Sequence, residues 1–392
     1  MAAKPNIVLI VVDSLRADRL GCYGNPGGTS PFLDSLAASG ALGESFFAST
    51  IPAYSAFATL LSGVPPVGHE ILSNETTADF PGEFPLAQEI FIKSGCTTCG
   101  IFSLRQARAW FGRGLEFSIN PAIALAKPEE VTGREMNAHA IQWIRGHVNE
   151  PFFLFIHYRE PRAALAKGAD YLATGPDYLA KGSDYDDAVR AVDSGIRELV
   201  SAIDNLRLAP RTLIAVTSDR GVSLGEHGIV SESRGLYDCT VHIPFIARWP
   251  GHIAPGTRLK GMWQSEDIAP SLFEAVEMEV PSSMDGPRFW KDLTGQTSGS
   301  SRGHIMSLDC TRGSAWSVRT AQYKLILSEG PRRELYDLIA DPREERDIAS
   351  QHPEVAAALE SELQSWVTRR IDELYRFESP FRDGLVPQTV TP

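Results

Sequence analysis

Short apolar runs rich in β-branched residues alternate along the chain with longer stretches in which apolar residues recur at every third or fourth position. A short continuous apolar run is typical of a strand buried on both faces of a parallel sheet, and the longer spacing is typical of an amphipathic helix. The runs that predict strands are residues 6–12, 97–102, 152–157, 213–217 and 244–248. The stretches that predict helices are residues 31–39, 133–147 and 185–206. Strands and helices in alternation predict an α/β fold in which helices sandwich a mainly parallel central sheet.

The pattern changes after Trp316, where short strand-like runs are followed by one long amphipathic stretch. These segments predict an antiparallel sheet and a closing helix, at residues 317–319, 323–327, 335–338 and 353–375. The Gly- and Ser-rich residues 297–303 are the predicted linker. The predicted units are an α/β domain over residues 1–300, a C-terminal α+β subdomain over residues 301–380 and a tail over residues 381–392.

Composition and charge exclude several classes of function. The 392 residues are 43% hydrophobic, which suffices for a large core, and the formal net charge is -12. An acidic chain suits neither nucleic acid nor an anionic membrane, so we expect neither as a partner, whereas a local basic pocket remains compatible with an anionic small molecule. We expect no membrane span, and the odd number of cysteines, five, favours a reducing compartment such as the cytoplasm. Nothing in the sequence indicates an oligomeric state.

Polar residues follow three of the predicted strands. Asp13 follows the first, residues 157–162 (His-Tyr-Arg-Glu-Pro-Arg) end the third, and residues 218–221 (Ser-Asp-Arg-Gly) follow the fourth. Because ligands of open parallel sheets bind at the carboxyl ends of the strands, we expect these residues to converge. Asp13 and Asp219 would then offer the oxygen ligands that a hard divalent cation prefers. The alternative is that each aspartate caps the helix that follows it.

Segments spread over nearly the whole chain resemble, in the same order, the sequence blocks of sulfatases in the alkaline phosphatase superfamily. These segments include PNIVLIVVDSLRADRLGCYGN, SPFLDSLAASG, ATLLSGVPPVGHEI, PFFLFIHYREPR, TSDRGVSLGEHG, LYDCTVHIPFIARWPG and SEDIAPSLFEAV. The resemblance implies an alkaline phosphatase-like fold, hydrolysis of sulfate esters, a calcium ion or another divalent cation, and a formylglycine made from cysteine or serine. It also implies that Asp13 and Asp219 bind the metal and that His157 lies near the substrate.

The position of the nucleophile departs from the family pattern. Counting back from residues 60–63 (Leu-Leu-Ser-Gly) places it at Ala53, whose methyl group can neither be oxidised to an aldehyde nor attack an ester. The arginine that usually follows four residues later is Phe57. Thr50 and Ser55 are nearby hydroxyls that could act instead after a shift of register, and their alternative role is that of a helix cap.

The second metal motif also departs from the pattern, because Arg220 stands where sulfatases have histidine or asparagine. A guanidinium has five donors and no acceptor, so it cannot bind a cation, and its charge would repel one held by Asp13 and Asp219. Arg220 therefore argues against the implied metal. The alternative is that Arg220 pairs with the two aspartates and replaces the ion.

The other candidate residues come from the resemblance as well. Arg105 replaces the Lys-Trp-His segment of the family, and Arg162 replaces a frequent histidine, while several histidines remain as proton donors or as ordinary buried side chains. The expected catalytic positions are Ala53, His157, Arg105 and His227, the expected substrate-binding residues are Arg162, Arg220 and His69, and the expected metal ligands are Asp13 and Asp219.

Three hypotheses remain open at this point. The first is a sulfate-ester hydrolase with impaired activity, or a phosphate or phosphonate ester hydrolase, on a rebuilt site. The second is an inactive member that binds an anionic ligand or a protein partner, with Arg16, Arg105, Arg162 and Arg220 forming a positive pocket. The third is that Ala53 replaces an original cysteine, which would leave Phe57 and Arg220 unexplained.

Overall fold

Strands and helices alternate as the hydrophobic pattern predicts. The computed structural model describes residues 4–76, 78–104, 107–123, 131–168, 183–284, 286–297 and 302–375. The strands up to residue 264 are β1 (Asn6–Val12), β2 (Ala41–Phe47), β3 (Thr97–Phe102), β4 (Phe117–Ile119), β5 (Phe152–Tyr158), β6 (Thr212–Ser218), β7 (Ser223–Leu224), β8 (Val230–Glu232), β9 (His242–Arg248) and β10 (Thr257–Gln264). The later strands are β11 (Ile305–Asp309), β12 (Ala315–Arg319), β13 (Tyr323–Ser328) and β14 (Arg333–Asp337).

The helices lie between these strands. They are α1 (Pro31–Ala38), α2 (Ala53–Ser62), α3 (Pro66–His69), α4 (Ala87–Lys93), α5 (Gly133–Gly146), α6 (Glu160–Gly168), α7 (Ser183–Asn205), α8 (Asp238–Val241), α9 (Ile268–Ala275), α10 (Trp290–Leu293) and α11 (Pro353–Tyr375). In the part of the chain that the structure describes, no helix is both long and apolar enough to cross a bilayer.

Eight strands form the central sheet, in the order β10-β2-β9-β6-β1-β5-β3-β4. Strand β1 lies in the middle and pairs in parallel with β5 on one side and β6 on the other. Strand β9 is antiparallel to both of its neighbours, β2 and β6. The sheet is therefore mixed but mainly parallel, and the predicted fold class is confirmed.

Helices cover both faces of this sheet, which explains why its central strands are apolar throughout. On β1, Ile7, Leu9 and Val11 pack into one hydrophobic cluster, whereas the intervening Val8, Ile10 and Val12 pack into another. Helices α2, α4 and α9 contribute to the first cluster, and α1, α5 and α7 contribute to the second. A strand with two buried faces carries no alternation of polar and apolar residues.

The C-terminal strands form a separate antiparallel sheet, in the order β11-β12-β13-β14. One face of this sheet packs against α11 through residues that include Trp316, Leu325 and Leu363. Its other face shares a hydrophobic cluster with the main sheet, in which Phe47 meets Ile305 and Ile326. The antiparallel sheet and the long closing helix are as predicted, while the proposed boundary at residue 300 falls outside the described residues and stays a prediction.

Candidate active site

Three side chains meet where the central strands β6, β1 and β5 end. Asp13 follows β1, His157 is the penultimate residue of β5, and Asp219 follows β6. One ligand atom from each lies within 4.8 Å of the others, and all three residues are buried. Adjacent parallel strands bring their carboxyl ends to the same edge of a sheet, so the expected convergence arises from the topology.

The turn after β1 contains a strained residue, Ser14, that its neighbours hold in place. Ser14 adopts a left-handed conformation with φ 66°, which is unusual for a residue other than glycine. Its backbone N–H donates to Asp219 Oδ1 (3.1 Å), and its hydroxyl donates to Asp13 Oδ1 (2.7 Å). The Tyr185 hydroxyl donates to the Ser14 carbonyl oxygen (2.7 Å) and accepts from the backbone N–H of Arg16 (3.0 Å). These contacts fix the turn, and the sequence analysis did not identify Ser14 or Tyr185 as part of the site.

The guanidinium of Arg220 bridges the two aspartates. Its Nη1 donates to Asp219 Oδ2, and its Nη2 donates to Asp13 Oδ1 at 3.0 Å. Burial opposes the positive charge, but Asp219 and Asp13 outweigh burial and raise the pKa of Arg220 above its ordinary value. Burial would likewise raise the pKa of Asp13, yet Arg220 and the nearby cations lower that pKa well below its usual range. Asp13 and Arg220 are therefore both charged at neutral pH.

The imidazole of His157 has no hydrogen bond among the described residues. It is fully buried, and neither ring nitrogen has a partner among the described residues. The ring of Phe57 packs edge-on against the imidazole, with the ring centroids 4.9 Å apart. Burial lowers the pKa of His157 to about 3, so the imidazole is neutral and keeps one N–H donor and one free acceptor.

Two more arginines, Arg159 and Arg162, follow β5 and lie close to Asp13. Arg159 Nε lies 3.6 Å from Asp13 Oδ2, and Arg159 Nη1 donates to the carbonyl oxygen of Ser103 at 3.1 Å. Burial lowers the pKa of Arg162, and the positive charges of Arg220 and Arg159 add to this effect. Asp13 acts in the opposite direction, so Arg162 is close enough to interact with the charges of this site. Arg159 was missed as a candidate although it stands between His157 and Arg162 in the quoted segment.

Ala53, at the nucleophile position, is the first residue of α2 and presents only a methyl group there. The hydroxyls of Thr50 and Ser55 are buried and have no hydrogen-bond partner among the described residues. Helix α2 thus carries Phe57 against His157 in place of an arginine. Arg105, another expected catalytic residue, lies outside the described residues.

The contacts found for His69 and His227 among the described residues are with other groups than Asp13, His157 and Asp219, and their expected roles in binding and catalysis stay predictions. His69 ends α3, where its Nδ1 accepts from the backbone N–H of Ile71 (3.1 Å) and its Nε2 lies 2.9 Å from the Thr59 hydroxyl. Burial lowers the pKa of His69 to about 3, and its contacts are those of a structural residue. His227 stacks on Tyr237 with ring centroids 3.5 Å apart.

His227 faces a separate cavity of about 810 Å³ that also contains Arg16. Arg16 is held there by hydrogen bonds to Asp18 and Glu226, both at 2.7 Å. Arg16 is thus paired with carboxylates other than Asp13 and Asp219, and it lines this second cavity. The arginines gathered around Asp13 in the described residues are Arg159, Arg162 and Arg220.

The donor set does not fit the divalent metal that the resemblance implies. Asp13, His157 and Asp219 have the ligand atoms for such an ion, and they are the one group of this kind among the described residues. However, both carboxylates are already bound to Arg220, whose guanidinium has no lone pair to donate and carries a like charge. An ion that bridged the two aspartates would have to displace this guanidinium.

Comparison with known proteins agrees with the fold and the motifs. The sequence model of the family described as "Sulfatase" matches residues 5–278, and that described as "N-sulphoglucosamine sulphohydrolase, C-terminal" matches residues 225–369. Since the first match covers more than half of the chain, the chain belongs to the sulfatase family. Sulfatases are hydrolases of sulfate esters in the alkaline phosphatase superfamily.

Individual relatives are distant. The chain is 26% identical to human arylsulfatase A, over 97% of this chain and 92% of the relative. It is 27% identical to an N-acetylgalactosamine-6-O-sulfatase of Bacteroides thetaiotaomicron, over 63% of this chain and 53% of that one. Among solved structures, a phosphonate monoester hydrolase of Agrobacterium radiobacter superimposes with a TM-score of 0.78 at 19% identity, covering 94% of this chain and 96% of that one. A sulfatase solved with its substrate D-glucosamine-2-N,6-O-disulfate gives the same TM-score and identity, covering 94% and 98%.

Proposed function

We propose that this member of the sulfatase family binds a sulfate-ester anion at the carboxyl end of its central sheet without hydrolysing it. The observation that supports the proposal most directly is the Arg220 guanidinium, which binds both aspartates where the family holds a metal ion. Hydrolysis in the family depends on that metal and on a formylglycine, and this chain presents Arg220 and Ala53 instead.

The charges of the site favour an anion. Three guanidiniums act on Asp13, namely those of Arg159, Arg162 and Arg220. Burial and Asp13 raise the pKa of Asp219 to about 7, so its negative charge is incomplete at neutral pH. Guanidinium forks match the oxygens of sulfate and phosphate groups and bind them through two parallel hydrogen bonds. Arg159 and Arg162 are both partly exposed, so these two cations are the ones that an anion from solution can reach.

His157 supplies a neutral group beside the cations. Its imidazole can donate one N–H to an ester or sulfuryl oxygen, and this bond would satisfy a buried donor that has no partner among the described residues. Both the cations and the imidazole therefore favour a ligand with several oxygen acceptors and a negative charge. The names of the relatives point to the same chemistry, since they include an arylsulfatase and sugar sulfatases.

The binding half of the proposal is tested with Arg162→Gln. We expect calorimetric titration with 4-nitrophenyl sulfate and with glucosamine 6-sulfate to show binding to the wild-type protein that weakens at least about tenfold in the variant, because a charge-assisted hydrogen bond is worth about 1.5–3 kcal/mol. Raising the salt concentration should weaken binding to the wild type as well.

Arg190→Gln is the matched control, since Arg190 lies on the exposed side of α7 and pairs with Asp187. This variant should bind the sulfate esters with unchanged affinity. No binding to the wild-type protein, or equal affinities for wild type and Arg162→Gln, would contradict the proposal. Preference for a phosphate or phosphonate ester would support that alternative class of ligand instead.

The loss of turnover is tested with Ala53→Cys, expressed together with a formylglycine-generating enzyme. We expect no release of 4-nitrophenol from 4-nitrophenyl sulfate above the wild-type level, because restoring the nucleophile leaves Arg220 and Phe57 in place. Mass spectrometry of the peptide containing position 53 shows whether the formylglycine has formed. Turnover by a protein that carries the formylglycine would overturn this half of the proposal, and turnover by the wild type would indicate another nucleophile such as Thr50 or Ser55.

A further inference from the structure

We infer that Arg220 and Arg159 together take the place of a divalent cation, so that this protein is built to hold its two aspartates without metal. The inference deepens the proposed function, on which it depends only for the location of the site. It concerns how Asp13 and Asp219 are held, whereas the proposed function concerns what binds beside them.

The two aspartates require a positive partner. Each is at least 95% buried, and one oxygen of Asp13 lies within 4.8 Å of one oxygen of Asp219. Two carboxylates at this separation repel each other strongly in a buried environment, where water screens them poorly. Burial and the neighbouring Asp13 raise the pKa of Asp219 to about 7 even with Arg220 present. A fold that keeps both carboxylates ionised must therefore provide a cation at this place.

Arg220 contacts both aspartates at once, as a bridging ion would. Its two terminal nitrogens are directed to different residues, one to Asp219 Oδ2 and the other to Asp13 Oδ1. The bridge joins the ends of β6 and β1, which are neighbours in the sheet. A single cationic group thus ties the two strand ends together, with a side chain that is only 7% exposed.

Arg159 provides the second charge. Its Nε lies 3.6 Å from Asp13 Oδ2, the carboxylate oxygen that Arg220 leaves free. When both aspartates are ionised, two guanidiniums and two carboxylates have a net charge of zero, which is the same balance that one divalent ion would give.

Hydrogen bonds and close packing fix the main chain at Arg220 and Gly221. The Arg220 N–H donates to Asp219 Oδ1 (2.9 Å), and the Gly221 N–H donates to the carbonyl oxygen of Thr240 (2.7 Å). A Cβ atom at Gly221 would lie 2.3 Å from the carbonyl oxygen of Cys239, so the loop packs against this segment more closely than any other residue would permit. The main chain that carries Arg220 is therefore anchored on both sides, and the guanidinium is held by its own bonds to Asp13 and Asp219.

The test is whether removing the guanidinium creates a metal site. In Arg220→Asn the aspartates, His157 and the new amide oxygen form an oxygen-rich donor set with no positive charge among them. We expect the wild-type protein to show no calorimetric binding of Ca²⁺, Mg²⁺, Mn²⁺ or Zn²⁺ and no change of melting temperature with EDTA. The variant should bind one Ca²⁺ or Mn²⁺ per chain with a Kd of about 10⁻⁴ M or tighter and melt at a higher temperature when the ion is present.

Two further variants make the result decisive. Arg220→Lys keeps the charge and should stay without metal, and Arg190→Asn is the control for a substitution on the surface. If Arg220→Asn folds only when Ca²⁺ or Mn²⁺ is added, that outcome supports the inference.

The inference is overturned if the wild type binds one ion per chain and Asp13→Asn abolishes that binding. It is also overturned if Arg220→Asn binds none of the four ions, whether it is folded by circular dichroism or remains unfolded in their presence. Neither result bears on sulfate-ester binding, which is measured separately through Arg162.

Discussion

Lys324→Ala is expected to lower the free energy of unfolding by about 3–5 kcal/mol. Lys324 lies on β13 and is fully buried, and its Nζ contacts Asp238 Oδ1 and lies 2.6 Å from Glu344 Oε1. Removing the ammonium leaves the buried carboxylate of Glu344 and the partly buried one of Asp238 without it, and among their partners only Arg319 still pairs with Asp238. Urea denaturation followed by tryptophan fluorescence measures the loss.

Two comparisons separate this effect from that of an ordinary ion pair. Arg190→Ala removes an exposed partner of Asp187 and should change the free energy of unfolding by no more than about 1 kcal/mol. The double variant Lys324→Met, Glu344→Gln should regain much of the lost stability because fewer buried charges remain unpaired. A loss below about 1 kcal/mol in Lys324→Ala would show that the buried cluster is better solvated than its contacts imply.

Phe57→Ala is expected to destabilise the fold by about 3–5 kcal/mol and to weaken sulfate-ester binding. Phe57 is fully buried, and its ring contacts His157, Phe111 and Phe155 with centroid distances of 4.9, 5.3 and 6.2 Å. Truncation opens a cavity beside the imidazole, whose orientation is no longer fixed by packing. Denaturation measures the first effect and calorimetric titration with 4-nitrophenyl sulfate measures the second.

Phe57→Leu is the matched control, because it keeps most of the apolar volume. Its loss of stability should stay below about 1.5 kcal/mol. If Phe57→Ala were as stable as Phe57→Leu, the ring would not be filling the space beside His157. If it lost stability but bound the ester as tightly as the wild type, the packing of Phe57 would not matter for the site.

The parts of the fold that follow from the sequence are those in which one pattern dominates. Strands β1, β3, β5 and β6 each contain a short apolar run, and the amphipathic stretch at residues 353–375 corresponds to α11. Strands β2 and β10 were not predicted. Gly43 and Glu44 interrupt the apolar run of β2, and β10 has charged and glycine residues because it lies at the edge of the sheet.

Part of the candidate site can likewise be predicted from the sequence. Asp13, His157 and Asp219 are predictable because they end strands that are adjacent in a parallel sheet, and the pairing of Arg220 follows from its charge. Ser14 is not predictable, since its importance lies in a left-handed backbone that serine rarely adopts. The placement of His69 and His227 is equally hidden, because a buried structural histidine and a functional one look alike in a sequence.

The reversed direction of β9 limits where this protein can acquire new specificity. Thr217 of β6 pairs with Phe245, near the start of β9, whereas Ile214 pairs with Arg248 at its end. The segment that precedes β9 therefore lies at the strand ends that carry Asp13 and Asp219, and residues 249–256 leave from the opposite ends of the strands. An insertion before β9 would change the surroundings of the ligand, and one of the same length after β9 would leave them unaltered.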